Sequence, residues 1–142
     1  MLNQNIKLTV DALVFCKENG HLQLLLIKRK NYPDIGKWAF PGGFVEDDED
    51  LESAAIRELE EETGLKLKAM RQLHTFGKPG RDPRGRTVSV VFYAITDSPD
   101  TRVAGADDAA EAAWINVKDI TELAFDHMEI LSYALQTIMI ND

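Results

Sequence analysis

GFVEDDEDLESAAIRELEEETGL, from Gly43 to Leu65, is the stretch that organises the chain. Its fixed points run Gly43, five residues, Glu49, seven residues, Arg57-Glu58-Leu59, one residue, Glu61-Glu62, one residue, Gly64-Leu65. Asp50 is placed to cap a helix, Leu51 to Thr63 contains no Gly or Pro, and Gly64 stands where a left-handed C-cap belongs. The segment reads as one helix. At about 100° per residue, Leu51, Ala55 and Leu59 form an apolar stripe, and Glu58 and Glu62 project within roughly 60° of Leu51 and Ala55. Those two acids face inward one turn apart, with Glu61 on the flank, so three carboxylates converge on a small volume.

A run of glutamates is ordinarily a solvated face, and Glu52 and Glu60 fit that description. Glu58 and Glu62 do not. Partly buried carboxylates that repel each other need a compensating cation, and hard divalent metals take all-oxygen ligand sets. Mg²⁺ is the expected ion, with Mn²⁺ as the alternative. Arg57 supplies one fixed positive charge, better suited to orienting Glu49 or Glu61 than to neutralising every acid.

Outward from this helix, 142 residues suffice for a single domain, 1–142, with a full core. Apolar content of 44% and charged content of 28% are typical of a soluble globular protein. A net charge of −8 argues against nucleic acid and against anionic membrane as partners. The opening MLNQNIKLTV lacks an apolar leader core, and no run approaches the roughly 18 apolar residues of a membrane span. Cys16, the only cysteine, lies in an apolar strand and reads as a buried, inert thiol, which suits a cytoplasmic location.

Before the acidic helix, Lys7 to Phe15 and Leu22 to Lys28 read as a hairpin turned at Glu18-Asn19-Gly20, and the run LLLI implies burial on both sheet faces. Trp38-Ala39-Phe40 is a short extended piece halted by Pro41-Gly42-Gly43, whose glycines permit close backbone approach to a bound group. After it, Leu65 to Leu73 alternates like a half-exposed strand and Thr87 to Ile95 is the clearest strand of all. Between them His74 to Arg86 is a Gly-rich loop whose Arg81, Arg84 and Arg86 make a candidate anion clamp, joined by Arg29 at the end of the second strand. An acidic loop from Thr96 to Ala110 precedes Glu111 and a short strand at Trp114 to Val117. Asp126 is placed to cap a closing helix, His127 to Ile140, with Ile130, Leu131, Ala134, Leu135 and Ile138 at core spacing. That apolar helix suits a homodimer as well as a core. Strands interleaved with two helices give an α/β sandwich around a mixed sheet. His21, His74 and His127 lack ligand-spaced partners, and neither a Walker A loop nor a Gly-x-Gly-x-x-Gly turn is present.

The spacing from Gly43 to Leu65 is that of the box of the Nudix hydrolase family, and a match of this kind recurs by chance on the order of 10⁻⁹ per starting point. The resemblance covers essentially the whole chain. It implies a Nudix-type α/β/α sandwich and Mg²⁺-dependent hydrolysis of a nucleoside diphosphate linked to a further moiety. It also implies that Glu58, Glu61 and Glu62 are metal ligands, with the Gly42 carbonyl completing the site. GRDPRGRT (Gly80 to Thr87), AGADDA (Ala104 to Ala109) and LAFDH (Leu123 to His127) look like the compact microbial ADP-ribose pyrophosphatases. ADP-ribose, cleaved to AMP and ribose 5-phosphate, is thus the expected substrate. A nucleoside triphosphate or sugar nucleotide is the enzymatic alternative. A non-catalytic ADP-ribose sensor is the other, disfavoured because only Asn141 and Asp142 follow the closing helix where a related regulator carries a winged-helix domain. The family takes its general base from the box helix or from a late loop. Glu111 is favoured over Asp108, since a flexible loop glutamate can swing onto a bound water; Glu61 is the candidate on the helix.

Overall fold

The computed structural model describes residues 3–97 and 111–138, so Asp107 and Asp108 lie outside the described residues. Alternation in the first long strand decides the layering. In β1 (Lys7–Glu18), Val10, Ala12 and Val14 point to one side, Leu13 and Phe15 to the other, and all five are fully buried. Both faces must therefore be covered. The chain returns through left-handed Asn19 and Gly20 into β2 (His21–Lys28), where Leu24 to Ile27 are buried as their unbroken apolar run requires.

β3 (Trp38–Ala39), β4 (Gly42–Phe44), β5 (Arg71–Phe76), β6 (Thr87–Thr96) and β7 (Glu111–Asn116) complete one mixed sheet, ordered β3-β2-β1-β6-β5, with β4 on β1 and β7 on β2. β1 and β6 run parallel from Lys7↔Thr87 to Cys16↔Thr96, and the other ladders are antiparallel. Two helices close the layers. α1 (Leu51–Thr63) lays Ala54, Ala55 and Leu59 on the Val10 face, and α2 (His127–Ile138) lays Ile130, Leu131 and Ala134 on the Leu13 face. This is the expected α/β/α sandwich with the sheet between helices. Truncating fully buried Leu59 to alanine would cost about 2–5 kcal/mol. The thiol of Cys16 is buried, and no described helix is long and apolar enough to cross a membrane.

α1 has the expected ends: the Asp50 carboxylate accepts from the Leu51 amide, and Gly64 at φ 81° returns its N–H to the Glu60 carbonyl. Four local expectations need correction. The strand expected from Leu65 begins only at Arg71 and runs through His74 to Phe76, because Leu65 and Met70 are buried in the α1 cluster and carry the chain past the helix. There the Met70 amide donates to Glu52 at 3.0 Å, so Glu52 is not simply solvated. β7 starts at Glu111, and Val117 already belongs to a short 3₁₀ turn. Asp126 enters α2 through its carbonyl, which accepts from Glu129 and Ile130, while its carboxylate goes to Arg81 instead of capping the helix.

Candidate active site

Because α1 presents one face to β4, its acids meet the glycine turn. Arg57 is the hub: Nε and Nη2 donate to Glu49 at 2.9 and 2.6 Å, Nη1 to Glu58 at 2.8 Å and Glu61 at 3.2 Å, and Nη2 also to the Phe44 carbonyl at 3.1 Å. Hydrogen bonding to Glu49, followed by Glu58 and Glu61, pushes the guanidinium further up, so its charge is permanent. The Glu49 carboxyl is held below its usual range by the same bond. One cation is not enough for the rest. Burial pushes Glu58 up despite Arg57, and pushes Glu62 up to about 8, with Glu58 and Asp11 adding to it and the Gly42 amide opposing.

The glycines before the helix leave no space. A Cβ at Gly43 would overlap the Glu58 carboxylate, and one at Gly42 would overlap the Val10 carbonyl and Asp11. The Gly42 N–H donates to Glu62 at 2.7 Å, which ties the turn to the helix across the sheet end.

Glu62, Gly42 and Gly43 open onto a cavity of about 370 Å³ whose far wall carries Arg29, Arg81, Arg84 and Phe125. Arg81 is spent on Asp126 in a two-pronged pair, at 2.9 and 2.8 Å, with a side chain only 6% exposed. Arg84 pairs with buried Asp82. Among the described residues the Arg29 side chain has only carbonyl partners, those of Pro33, Asn31 and Tyr32, and it lies 4.8 Å above the Phe125 ring, with Arg84 at 5.6 Å. Burial and the neighbouring Arg84 lower its pKa.

At the floor, the sheet position after Val10 holds a carboxylate where an apolar residue would be expected. Asp11 is 8% exposed and accepts from Ser89 Oγ at 2.5 Å. Burial lifts it to about 6 in spite of that bond and of Arg81. Beside it His127, 3% exposed, stacks on Phe40 at 4.3 Å and accepts from the Phe40 amide at 3.2 Å. Burial, helped by Arg81 and Arg29, lowers the imidazole to about 3, so the 3.8 Å approach of His127 Nε2 to Asp11 Oδ1 is not an ion pair at neutral pH. Sequence reading missed this floor. The signal was available, since an aspartate inside KLTVDALVF breaks an otherwise buried strand.

The NUDIX domain model matches residues 6–134. The chain belongs to the Nudix family. It is 46% identical over 122 residues to an ADP-ribose pyrophosphatase of Methanocaldococcus jannaschii, covering 86% of this chain and 69% of that one. It is 37% identical to an ADPR responsive transcriptional repressor, NtrR, of Acinetobacter baylyi, over 89% of this chain but only 52% of the repressor. The cocrystal structure of the NUDIX domain of Shewanella oneidensis NrtR complexed with ADP ribose superposes with a TM-score of 0.87 at 32% identity, covering 94% of this chain and 89% of that one.

Against this Nudix frame, Arg57, Glu58, Glu61 and Glu62 gather on α1, with Gly42 beside Glu62. Arg29, Arg81 and Arg84 share the cavity wall, but Arg86 does not line it and donates instead to the Gly77 carbonyl at 2.8 Å. Glu111 is the first residue of β7, registered with Lys28 and 3.9 Å from its Nζ, and also does not line the cavity. Glu111 is thus a ladder residue held by its strand partner and not, as expected, a flexible loop acid.

Proposed function

We propose that this chain hydrolyses ADP-ribose to AMP and ribose 5-phosphate with Mg²⁺, or Mn²⁺ in its place, acting in the cytoplasm on a small nucleotide and not on nucleic acid or membrane. The observation that carries the reading is one cavity lined by Glu62 together with Arg29, Arg81, Arg84 and Phe125; Glu62 is the one α1 acid that lines it, and it ends an acid-rich lip in which Glu58 and Glu61 gather on Arg57. The relatives that act on or respond to ADP-ribose support it.

The residues fit a hard divalent ion. Glu58 and Glu62 are partly buried carboxylates raised by burial, and the turn beside them has no room for a side chain, so carboxylate and backbone oxygens can share one centre. Glu58, Glu61, Glu62 and the Gly42 carbonyl would hold it. Among the described residues no three acidic, histidine or cysteine side chains are arranged to hold a metal ion at present, since Glu58 and Glu61 lean on Arg57 and Glu62 on the Gly42 amide. Loading would shift those hydrogen bonds. When bound, a divalent ion supplies charge neutralisation for the diphosphate and a more acidic water.

The rest is done by side chains. Arg29, uncommitted to any described carboxylate, meets the diphosphate charge; Arg84 adds to it across Phe125. Arg57 anchors Glu49 through two bonds and keeps Glu58 and Glu61 on one guanidinium until an ion would draw them away.

A panel of ADP-ribose, sugar nucleotides and nucleoside triphosphates, with Mg²⁺ or Mn²⁺ and products identified by mass spectrometry, tests the reading. AMP and ribose 5-phosphate from ADP-ribose, at the highest kcat/KM of the panel, are expected. Faster turnover of another class moves the substrate. Saturable ADP-ribose binding without AMP makes the chain a sensor.

A further inference from the structure

Two polar atoms on the cavity floor face one another without a bond between them. The Phe40 amide can only donate, so His127 Nδ1, which accepts from it at 3.2 Å, carries the lone pair. In the neutral ring the proton is then on Nε2, and stacking on Phe40 at an interplanar angle of 12° keeps the ring from turning over. Burial and the positive charge of Arg81 and Arg29 keep the ring neutral. Across from it, Asp11 is oriented by Ser89, which donates to Oδ2 and leaves Oδ1 toward His127. Among the described residues neither Nε2 nor Oδ1 has a hydrogen-bond partner, and both residues line the cavity. Their separation of 3.8 Å is too long for a direct hydrogen bond.

An oxygen placed about 2.8 Å from each atom satisfies both, provided it accepts from one and donates to the other. A hydroxyl does this; a carbonyl, a phosphate oxygen and a methyl do not. Resting on the ADP-ribose reading above, we propose that His127 Nε2–H and Asp11 Oδ1 together hold one hydroxyl of the substrate's terminal ribose. Placement on the floor favours that sugar over the adenosine end. The floor is closed in by Gly42, Glu62 and Arg81, whereas the lining residues at the rim include Tyr32, 67% exposed, and Phe44, 49% exposed, flat surfaces suited to a base. The terminal ribose has free hydroxyls and no base, so it is the end that fits an enclosed polar pocket. The pair is thus a specificity device: a nucleoside diphosphate without the second sugar leaves it unanswered.

The test is equilibrium binding of ADP-ribose and of ADP, in EDTA, to wild type, Asp11→Asn and His127→Phe, with thermal midpoints recorded alongside. Wild type is expected to prefer ADP-ribose. Asp11→Asn should lose about 10- to 100-fold in ADP-ribose affinity, the range for a hydrogen bond to a charged group, and His127→Phe about 3- to 10-fold, the range for a neutral one, while ADP binding changes by less than about twofold. Asp11→Asn keeps the volume and a partner for Ser89, so the measurement survives if His127→Phe does not fold. Variants that retain the wild-type ratio of ADP-ribose to ADP affinity overturn the proposal, as does a wild type without preference between them, and either can occur while ADP-ribose is still hydrolysed. A wild type that neither binds nor cleaves ADP-ribose instead removes the substrate reading, and this proposal with it.

Discussion

Around Arg57 four carboxylates, those of Glu46, Glu49, Glu58 and Glu61, approach one guanidinium within 3.7 Å, whereas across the cavity Arg81 and Arg84 each have an aspartate of their own. The lip is short of positive charge and the wall is nearly balanced. Glu62, at the end of the lip, adds a further acid with only an amide for a partner among the described residues. A deficit of this kind is relieved by a bound cation, while on the function proposed above a balanced wall meets an anion first through Arg29, the member without an aspartate among the described residues. On the function proposed above, the difference separates a site that would recruit a metal from one that would position a substrate with little net charge of its own.

Removing the deficit should have the largest effect. Glu58→Gln or Glu62→Gln keeps volume but deletes a negative ligand, and kcat at limiting Mg²⁺ is expected to fall on the order of 10²-fold or more, with Glu60→Gln close to wild type because Glu60 is exposed on the far side of α1. Without metal the same change should relieve stress. The folded state keeps a proton on Glu62 up to about pH 8 that the unfolded chain releases near 4.5. Stability from this group is therefore full below the unfolded value and is lost as pH rises through the folded one. In EDTA the thermal midpoint of wild type should drop from about pH 5 to pH 8 more than that of Glu62→Gln, and Mg²⁺ should restore it. Equal slopes for the two proteins would mean that the lip is not short of charge.

On the wall, Arg81→Ala should act on the fold before it acts on substrate. It strands Asp126, 18% exposed, at the start of α2, and a loss of about 3 kcal/mol in urea unfolding is expected for a broken buried pair. Arg29→Ala strands no carboxylate, so stability should hold while KM for ADP-ribose rises about tenfold with kcat little changed, as for a uniform binding contact. If Arg81→Ala raised KM more than Arg29→Ala in folded protein, the division between paired and free arginines would be wrong.

How legible each region was follows from sequence distance. The lip lies on one helix, where positions three and four apart are neighbours, so Asp50, Gly64 and the facing of Glu58 and Glu62 could be read from spacing alone. The wall joins Arg29, Arg81, Arg84 and Phe125 from three loops, and the pairing of Arg81 with Asp126 crosses 45 positions. Local patterns carry no information about such a pairing, which is why Asp126 was expected as a helix cap and Arg86 as part of the clamp. Asp11 is intermediate: its oddness in an apolar strand is visible in sequence, but its partners Ser89 and His127 arrive only through the parallel β1–β6 ladder and the docking of α2.

The smallest expected effect concerns Glu111, which the swinging-loop argument made a general base and which the sheet places elsewhere. As the first residue of β7 it is registered with Lys28, and its side chain, 59% exposed, sits in a loose ion pair with that lysine. Exposed pairs of this kind contribute about 0–1 kcal/mol, so Glu111→Gln should leave both stability and kcat within a few-fold of wild type, with the acidic limb of the pH–rate profile intact. Lys28 immediately precedes Arg29, however, so the strand end is not far in sequence from the wall. Should Glu111→Gln lower kcat by roughly 10²-fold and erase the acidic limb while metal affinity holds, then the first residues of β7 must leave the ladder when substrate binds. In that event the wall would supply an acid as well as a charge, and the contrast between a metal-recruiting lip and a substrate-positioning wall would no longer hold. Asp108→Asn, measured in parallel, completes the comparison: with both variants near wild type, the base belongs to Glu58, Glu61 or Glu62, and the lip carries the proton transfer as well as the metal.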